Sequence, residues 1–138
     1  MLLSVGCDIG VCIMNYEEWS NYKINRKVLR LTKGENVVAY KDPKSPDGVL
    51  CHGMQGVFDP CNNPSDAWPI IVDNKISLTT SCGVNWNADV ILTINPNNDD
   101  NSIFECESST GINSNKNPLR AAMICFLKMK DAENETSN

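Results

Sequence analysis

The most regular pattern of apolar and polar positions lies near the C-terminal end of the chain, between Asn117 and Lys130. Apolar residues recur there at the spacing of one face of an α-helix: Leu119, Ala122, Met123, Phe126 and Leu127. Asn117 is a favourable N-cap residue, and Pro118 follows it at the helical position that needs no backbone N–H. The pattern therefore predicts a helix with one buried face, which another element has to cover.

A second apolar pattern predicts a helix that begins after Ser20 and ends near Gly34. Its apolar face consists of Ile24, Val28 and Leu31. We expect the opposite face to carry the densest basic run of the chain: Asn25, Arg26, Lys27 and Arg30. The plainer interpretation of this run is a solvated helix face, and the alternative is a contact with an anion or a phosphate group.

Residues 63–71 predict a third helix, which begins in the same way as the C-terminal one. Asn63 is a suitable N-cap, Pro64 follows it, and Asp66 lies in the first turn, where the helix dipole favours negative charge. Pro69 removes a backbone hydrogen bond further along, so we expect this helix to be short or kinked.

The remaining patterns predict short strands. Residues 37–40 form one, residues 49–58 a broken one, and residues 75–82 and 84–93 a hairpin around Gly83, followed by a strand at 103–107. A small meander cannot bury its own face, and helices with apolar stripes need a surface to pack on. We therefore predict an α+β fold, a small antiparallel sheet packed with about three helices as an αβ sandwich.

A length of 138 residues suits one compact domain. We expect residues 14–130 to form it. Residues 1–13 are interpreted as a non-native or disordered N-terminal extension, with Met14 as the functional first residue. Residues 131–138 are polar and are expected to be a disordered tail.

Charge and composition narrow the function. The formal net charge is −5, which argues against general nucleic-acid binding because phosphate neutralisation needs a basic surface. The apolar start of the chain is short and interrupted by Asp8, so we predict neither a secretory signal nor a membrane span. The seven cysteines are odd in number and lack C-x-x-C spacing, so we expect most of them to be reduced.

The chain has a single histidine, His52. Histidine is the usual general base near neutral pH, and it is a common zinc ligand. The neighbouring Cys51 and His52 side chains would diverge in a strand, which makes a Cys–His catalytic pair improbable. We predict no catalytic residues, no metal site and no cofactor.

Three sequence blocks together resemble the NinX-like proteins of lambdoid and related enterobacterial phages, a domain family of unknown function. The first block contains Tyr16, Ser20 and residues 24–28, and the others are residues 63–71 and 117–123. Lys23 departs from the family pattern, in which an acidic residue usually completes a capping box with Ser20. The resemblance implies a phage-encoded accessory protein that acts in the cytoplasm of the bacterial host.

Our first hypothesis is a non-enzymatic protein that binds and sequesters a nucleotide-type signal of bacterial immunity, within a homo-oligomer. Arginines and helix N-termini suit phosphate, and indole rings can stack on a base. The predicted ligand-binding residues are Trp19, Asn25, Arg26, Arg30, Trp68, Trp86 and Arg120. Core packing is the alternative for each tryptophan, and a bridge to Asp66 is the alternative for Arg120.

Two other hypotheses stay open. An acidic surface suits a protein-interaction module that inhibits a basic host or defence enzyme. A phosphodiesterase or hydrolase of the same signals is less expected, because Asp99 and Asp100 lie in an Asn-rich turn and only one histidine is present.

Overall fold

The computed structural model describes residues 15–81, 85–92, 102–107 and 117–136. Three α-helices, α1 (Asn21–Lys33), α2 (Pro64–Asp73) and α3 (Pro118–Thr136), combine with two antiparallel sheets. The first sheet pairs β1 (Ala39–Lys41) with β2 (Val49–Cys51). The second has the order β3 (Ser77–Ser81), β4 (Asn85–Leu92), β5 (Ser102–Glu107). The predicted α+β class is confirmed, whereas the expected extension at residues 1–13 lies outside the described residues.

Helix α3 is the centre of the molecule. It packs against all three strands of the larger sheet and also against α1 and α2. Every side chain from Arg120 to Leu127 is buried, as expected for a helix enclosed on all sides. The predicted apolar stripe was therefore too narrow, since Ala121, Ile124 and Cys125 are buried as well. Helices α1 and α2 pack on α3, which itself packs on the larger sheet.

The predicted helix starts are confirmed by their caps. Ser20 Oγ accepts a hydrogen bond of 3.1 Å from the backbone N–H of Lys23. Asn63 Oδ1 accepts one of 3.0 Å from Ser65 N. Asn117 Oδ1 does the same for the first turn of α3, at 3.0 Å from Leu119 N and 3.2 Å from Arg120 N. Each cap satisfies amide groups that the helix itself leaves without a partner.

The C-terminal ends of α1 and α2 are explained by the backbone conformation and hydrogen bonds of the residues that follow them. Gly34 ends α1 with a φ of 121°, a conformation that L side chains rarely adopt. Helix α2 continues through Pro69 to Asp73, and the N–H of the buried Ile76 then bonds back to Ile71 O at 3.0 Å. This bond and the buried apolar residue are typical of a helix C-cap.

Helix α3 extends beyond the end expected from the sequence. It continues past Lys130 to Thr136. The hydroxyl of the buried Tyr16 donates to the carboxylate of Asp131, and Lys128 Nζ lies 2.7 Å from Glu17 Oε2. These contacts hold α3 at Lys128 and Asp131 against the short 3-10 turn Tyr16–Glu18. Residues 131–136 are helical, where a disordered tail was expected.

The side chain of Asn25 is fully buried and joins three segments. Its Nδ2 donates to Asp47 O at 2.9 Å and to Asp59 Oδ1 at 2.7 Å, and its Oδ1 accepts from Cys61 N at 3.0 Å. This corrects the expectation that Asn25 belongs to the outer face of α1. Asn25 precedes the buried Val28 and Leu29 by three and four residues, and residues at those separations share a helix face.

We expect Asn25→Ala to lower the free energy of unfolding by about 2–4 kcal/mol, since a buried donor or acceptor left without its partner costs about 1–3 kcal/mol. Urea unfolding measures the change. Asn36→Ala is the matched control, because Asn36 is exposed and such substitutions change stability by about 0.5 kcal/mol or less. A similar small loss for both variants would contradict the role given to Asn25.

Candidate functional site

The outer face of α1 forms a shallow basic groove. It has a volume of about 140 Å³ and is lined by Trp19, Lys23, Arg26, Lys27 and Arg30. The four cations recur at three- and four-residue separations, which places them side by side on one helix face. We call these five residues the basic groove.

The electrostatics of the basic groove are unfavourable in the isolated protein. The first turn of α1 contains no acidic residue, although Lys23 lies there at the positive end of the helix dipole. Within the described residues, the two ion pairs are Lys128–Glu17 and Lys130–Glu133, and neither involves a residue of the groove. Like charges at these helical separations each cost about 0.2–0.5 kcal/mol. A bound anion would offset this repulsion, because it attracts all four cations.

Two arginine donors in the groove lack partners. The Nε atoms of Arg26 and Arg30 are both shielded from solvent, and neither has a hydrogen-bond partner. A buried donor without a partner costs about 1–3 kcal/mol, and more when it is charged. The two side chains are flexible and lie one helical turn apart, so a small turn of each toward the groove would let one anion accept from both.

Trp19 forms a wall of the groove and does not present a free ring face. The Lys23 ammonium lies 4.2 Å from the centre of the Trp19 ring, within the range of a cation–π contact. The Tyr16 ring packs edge-on against Trp19, with ring centres 4.7 Å apart and an interplanar angle of 77°. The structure therefore gives Trp19 the role of positioning Lys23, and stacking of a base on it would require Lys23 to move.

Arg120 lies outside the groove and is engaged by the protein itself. Its side chain is buried, with Nη1 2.5 Å from Asn21 Oδ1 and Nη2 3.0 Å from Glu17 O and 2.8 Å from Trp19 O. The expected bridge to Asp66 is wrong, because these hydrogen bonds go to Asn21, Glu17 and Trp19 instead. The carboxylate of Asp66 instead accepts from Asp59 N at 2.9 Å.

The other predicted site residues are dispersed. Trp68 is 61% exposed on α2, and Trp86 on β4 is half-buried and packs against the core. Neither lines the basic groove, and Asn25 lies on the buried face of α1. The structure thus brings together Trp19, Arg26 and Arg30 from the predicted set. It adds Lys27, which belonged to the predicted basic run, and Lys23, which the sequence analysis did not include in that run.

The chemistry available in the groove is charge-assisted hydrogen bonding. Its polar residues are lysine and arginine, which donate hydrogen bonds and carry positive charge. His52 is exposed and lies elsewhere. Among the described residues there is no group of three or more His, Cys, Asp or Glu side chains that could hold a metal ion. The Asp99–Asp100 pair lies outside the described residues.

Two cysteines with described side chains, Cys51 and Cys61, are free thiols. Burial raises the pKa of the Cys61 thiol far above its ordinary value, and the nearby carboxylates of Asp59 and Asp47 contribute, while the Arg120 charge opposes them. Cys61 is therefore a neutral core residue and not a nucleophile. The prediction that most cysteines are reduced is not tested for Cys7, Cys12, Cys82 and Cys106, because the structure does not describe their side chains.

A family model described as bacteriophage P22, NinX, matches residues 15–130. The search of curated proteins and the search of solved structures found no match. No helix within the described part of the chain is long and apolar enough to cross a membrane.

We expect Arg120→Ala to lower the free energy of unfolding by about 2–4 kcal/mol, because two backbone carbonyls and one amide oxygen lose a charged donor. Arg120→Lys should recover little of the loss, since lysine lacks the planar fork that reaches all three acceptors. Thermal and urea unfolding measure both variants. Lys44→Ala is the control, because Lys44 is exposed and such a substitution should change stability by about 0.5 kcal/mol or less. An Arg120→Ala protein of unchanged stability would contradict this assignment.

Iodoacetamide should modify Cys51 and spare Cys61 in the native protein at pH 8. Cys51 is half-buried, whereas Cys61 is fully buried and its raised pKa keeps it protonated. Mass spectrometry of tryptic peptides measures each site. Because ionisation of this thiol is disfavoured only in the folded state, the free energy of unfolding should fall as the pH rises above the ordinary thiol pKa. Labelling of the buried, neutral Cys61 should therefore require unfolding. Equal labelling of both cysteines in folded protein would contradict the packing described for Cys61.

Proposed function

This chain belongs to the bacteriophage P22 NinX family, and we propose that it is a non-catalytic binding protein for a small anionic ligand. The ligand class is a nucleotide-type signalling molecule with exposed phosphate groups. The protein sequesters it from bacterial immune pathways in the host cytoplasm. The proposed binding residues are Lys23, Arg26, Lys27 and Arg30, with Trp19 as the wall that holds Lys23.

One observation supports this proposal most directly. Arg26 and Arg30 line the same groove, and each has a shielded Nε donor that lacks a partner. Charged donors of this kind are normally paired in folded proteins. Phosphate oxygens are well suited to arginine, because the guanidinium group binds them through two parallel hydrogen bonds.

The size of the groove limits which part of the ligand it holds. A volume of about 140 Å³ is below the range of roughly 300–1,000 Å³ typical of sites that enclose a small molecule. The groove therefore accommodates a phosphate group or a short phosphate bridge, and the nucleoside parts extend beyond it. Recognition through phosphate also explains why none of the predicted tryptophans needs to offer a free ring face.

A single open groove holds a ligand only on one side. Sequestration requires slow release, which in turn requires most of the ligand surface to be buried. A second copy of the chain that places its own basic groove over the ligand would provide that burial. We therefore include a homo-oligomer in the proposal, with the ligand between the α1 helices of two copies.

Isothermal titration should detect binding of at least one member of a panel containing cyclic dinucleotides and ADP-ribose. Replacing both Arg26 and Arg30 by alanine should weaken this binding at least tenfold, equivalent to about 1.4 kcal/mol. Binding should also weaken as salt concentration rises, because the contacts are ionic and partly exposed. Native mass spectrometry of the same mixture should show the ligand retained by more than one chain.

The matched control replaces Lys41 and Lys44 by alanine. These lysines are exposed and lie outside the groove, so the variant loses the same charge and should bind almost normally. The bound nucleotide should be recovered chemically unchanged after incubation, which distinguishes sequestration from hydrolysis. The proposal fails if no panel member produces heat or a thermal shift, or if both double variants weaken binding equally.

A further inference from the structure

A second and larger groove lies on the side of the molecule formed by α2. It has a volume of about 400 Å³, which is within the range of known ligand-binding clefts, roughly 300–1,000 Å³. The end of α1, the segment that follows β2, and one face of α2 surround it. We call it the α2 groove, and its residues are Thr32, Lys33, Met54, Gln55, Val57, Phe58, Ser65, Asp66, Pro69, Ile70 and Asp73.

The floor of the α2 groove is apolar. Phe58 and Ile70 belong to the core, while Val57 is 38% exposed. Outside the groove, α2 exposes two further apolar side chains, Trp68 at 61% and Val72 at 50%. Residues four apart share a helix face, so these two form a row beside the groove residues Pro69 and Asp73.

The rim of the α2 groove is predominantly negative. It carries the carboxylates of Asp66 and Asp73 against the single ammonium of Lys33. Asp73 is the last residue of α2, whose final turn has no basic residue, so its charge adds to the negative end of the helix dipole. Asp66 Oδ2 is already an acceptor for Asp59 N and Asn63 Nδ2. Asp73 is therefore the carboxylate more available to a partner.

We propose that the α2 groove is a docking site for a basic segment of a partner protein. An apolar side chain of that segment enters the groove over Phe58 and Ile70, and a neighbouring lysine or arginine pairs with Asp73. The exposed row of Trp68 and Val72 favours a protein segment over a compact amine, because a small molecule that fills the groove would leave this row uncovered.

This docking site is independent of the proposed nucleotide site. The two grooves have no lining residue in common, and their charges are opposite in sign. A variant that abolishes anion binding should therefore retain partner binding. Steering by the acidic rim also fits the net charge of −5, since a basic partner would approach an acidic protein faster than a neutral one.

Selection from a random library of ten-residue peptides displayed on mRNA tests the proposal with the full chain as bait. We expect the enriched peptides to combine an aromatic or aliphatic residue with a lysine or arginine nearby. Fluorescence anisotropy of a labelled synthetic peptide then gives affinities. Asp73→Lys should weaken binding at least fivefold and Asp73→Asn by a smaller factor, and circular dichroism should show both variants folded.

Two controls separate the alternatives. Glu133→Lys makes the same charge change at an exposed residue outside the α2 groove and should alter peptide affinity less than twofold. The double alanine variant of Arg26 and Arg30 should also bind the peptide normally, whatever the outcome of the nucleotide titrations. Absence of enriched peptides, insensitivity to Asp73→Lys, or displacement of the peptide by spermidine or phenethylamine at equal concentration would overturn the proposal.

Discussion

The fold depends on how the first turn of α3 satisfies its polar groups inside the protein. This turn lies between the start of α1 and the segment before α2, and it is partly buried there. Asn117 caps the helix through Oδ1 and donates through Nδ2 to Cys61 O at 2.8 Å. Arg120 donates to Asn21 and to the carbonyls of Glu17 and Trp19. One turn of helix thereby fixes two distant segments, and it sets the position of α1.

With α1 held in this position, its two faces have different roles. Its inner face carries Asn25, whose three hydrogen bonds hold the segments around Asp47, Asp59 and Cys61. Its outer face carries the basic groove, in which arginine donors stay unpaired. Several polar residues of the sequence blocks that resemble the phage family therefore specify the fold. Arg26 and Arg30, whose Nε donors lack partners, lie next to them and are available for binding.

The sequence predicted those features that depend on neighbouring residues. Caps at Ser20, Asn63 and Asn117 and the apolar periodicity of α3 are local, so the helix starts and the α+β class follow from them. The roles of Asn25 and Arg120 are not local. Their partners lie between 22 and 103 residues away. Helical spacing can place Asn25 on the buried face of α1, but it does not identify partners that come from distant segments. The α2 groove was missed for the same reason, because one wall is an irregular segment.

The central claim is that Arg26 and Arg30 bind an anion while Arg120 serves the fold. These are the three arginines of the chain, so its ¹H–¹⁵N correlation spectrum should contain three Nε–Hε signals. Titration with inorganic pyrophosphate tests the claim directly. The signals of Arg26 and Arg30 should shift with ligand concentration, while that of Arg120 stays in place. A shift confined to Arg120, or no shift at Arg26 and Arg30, would contradict it.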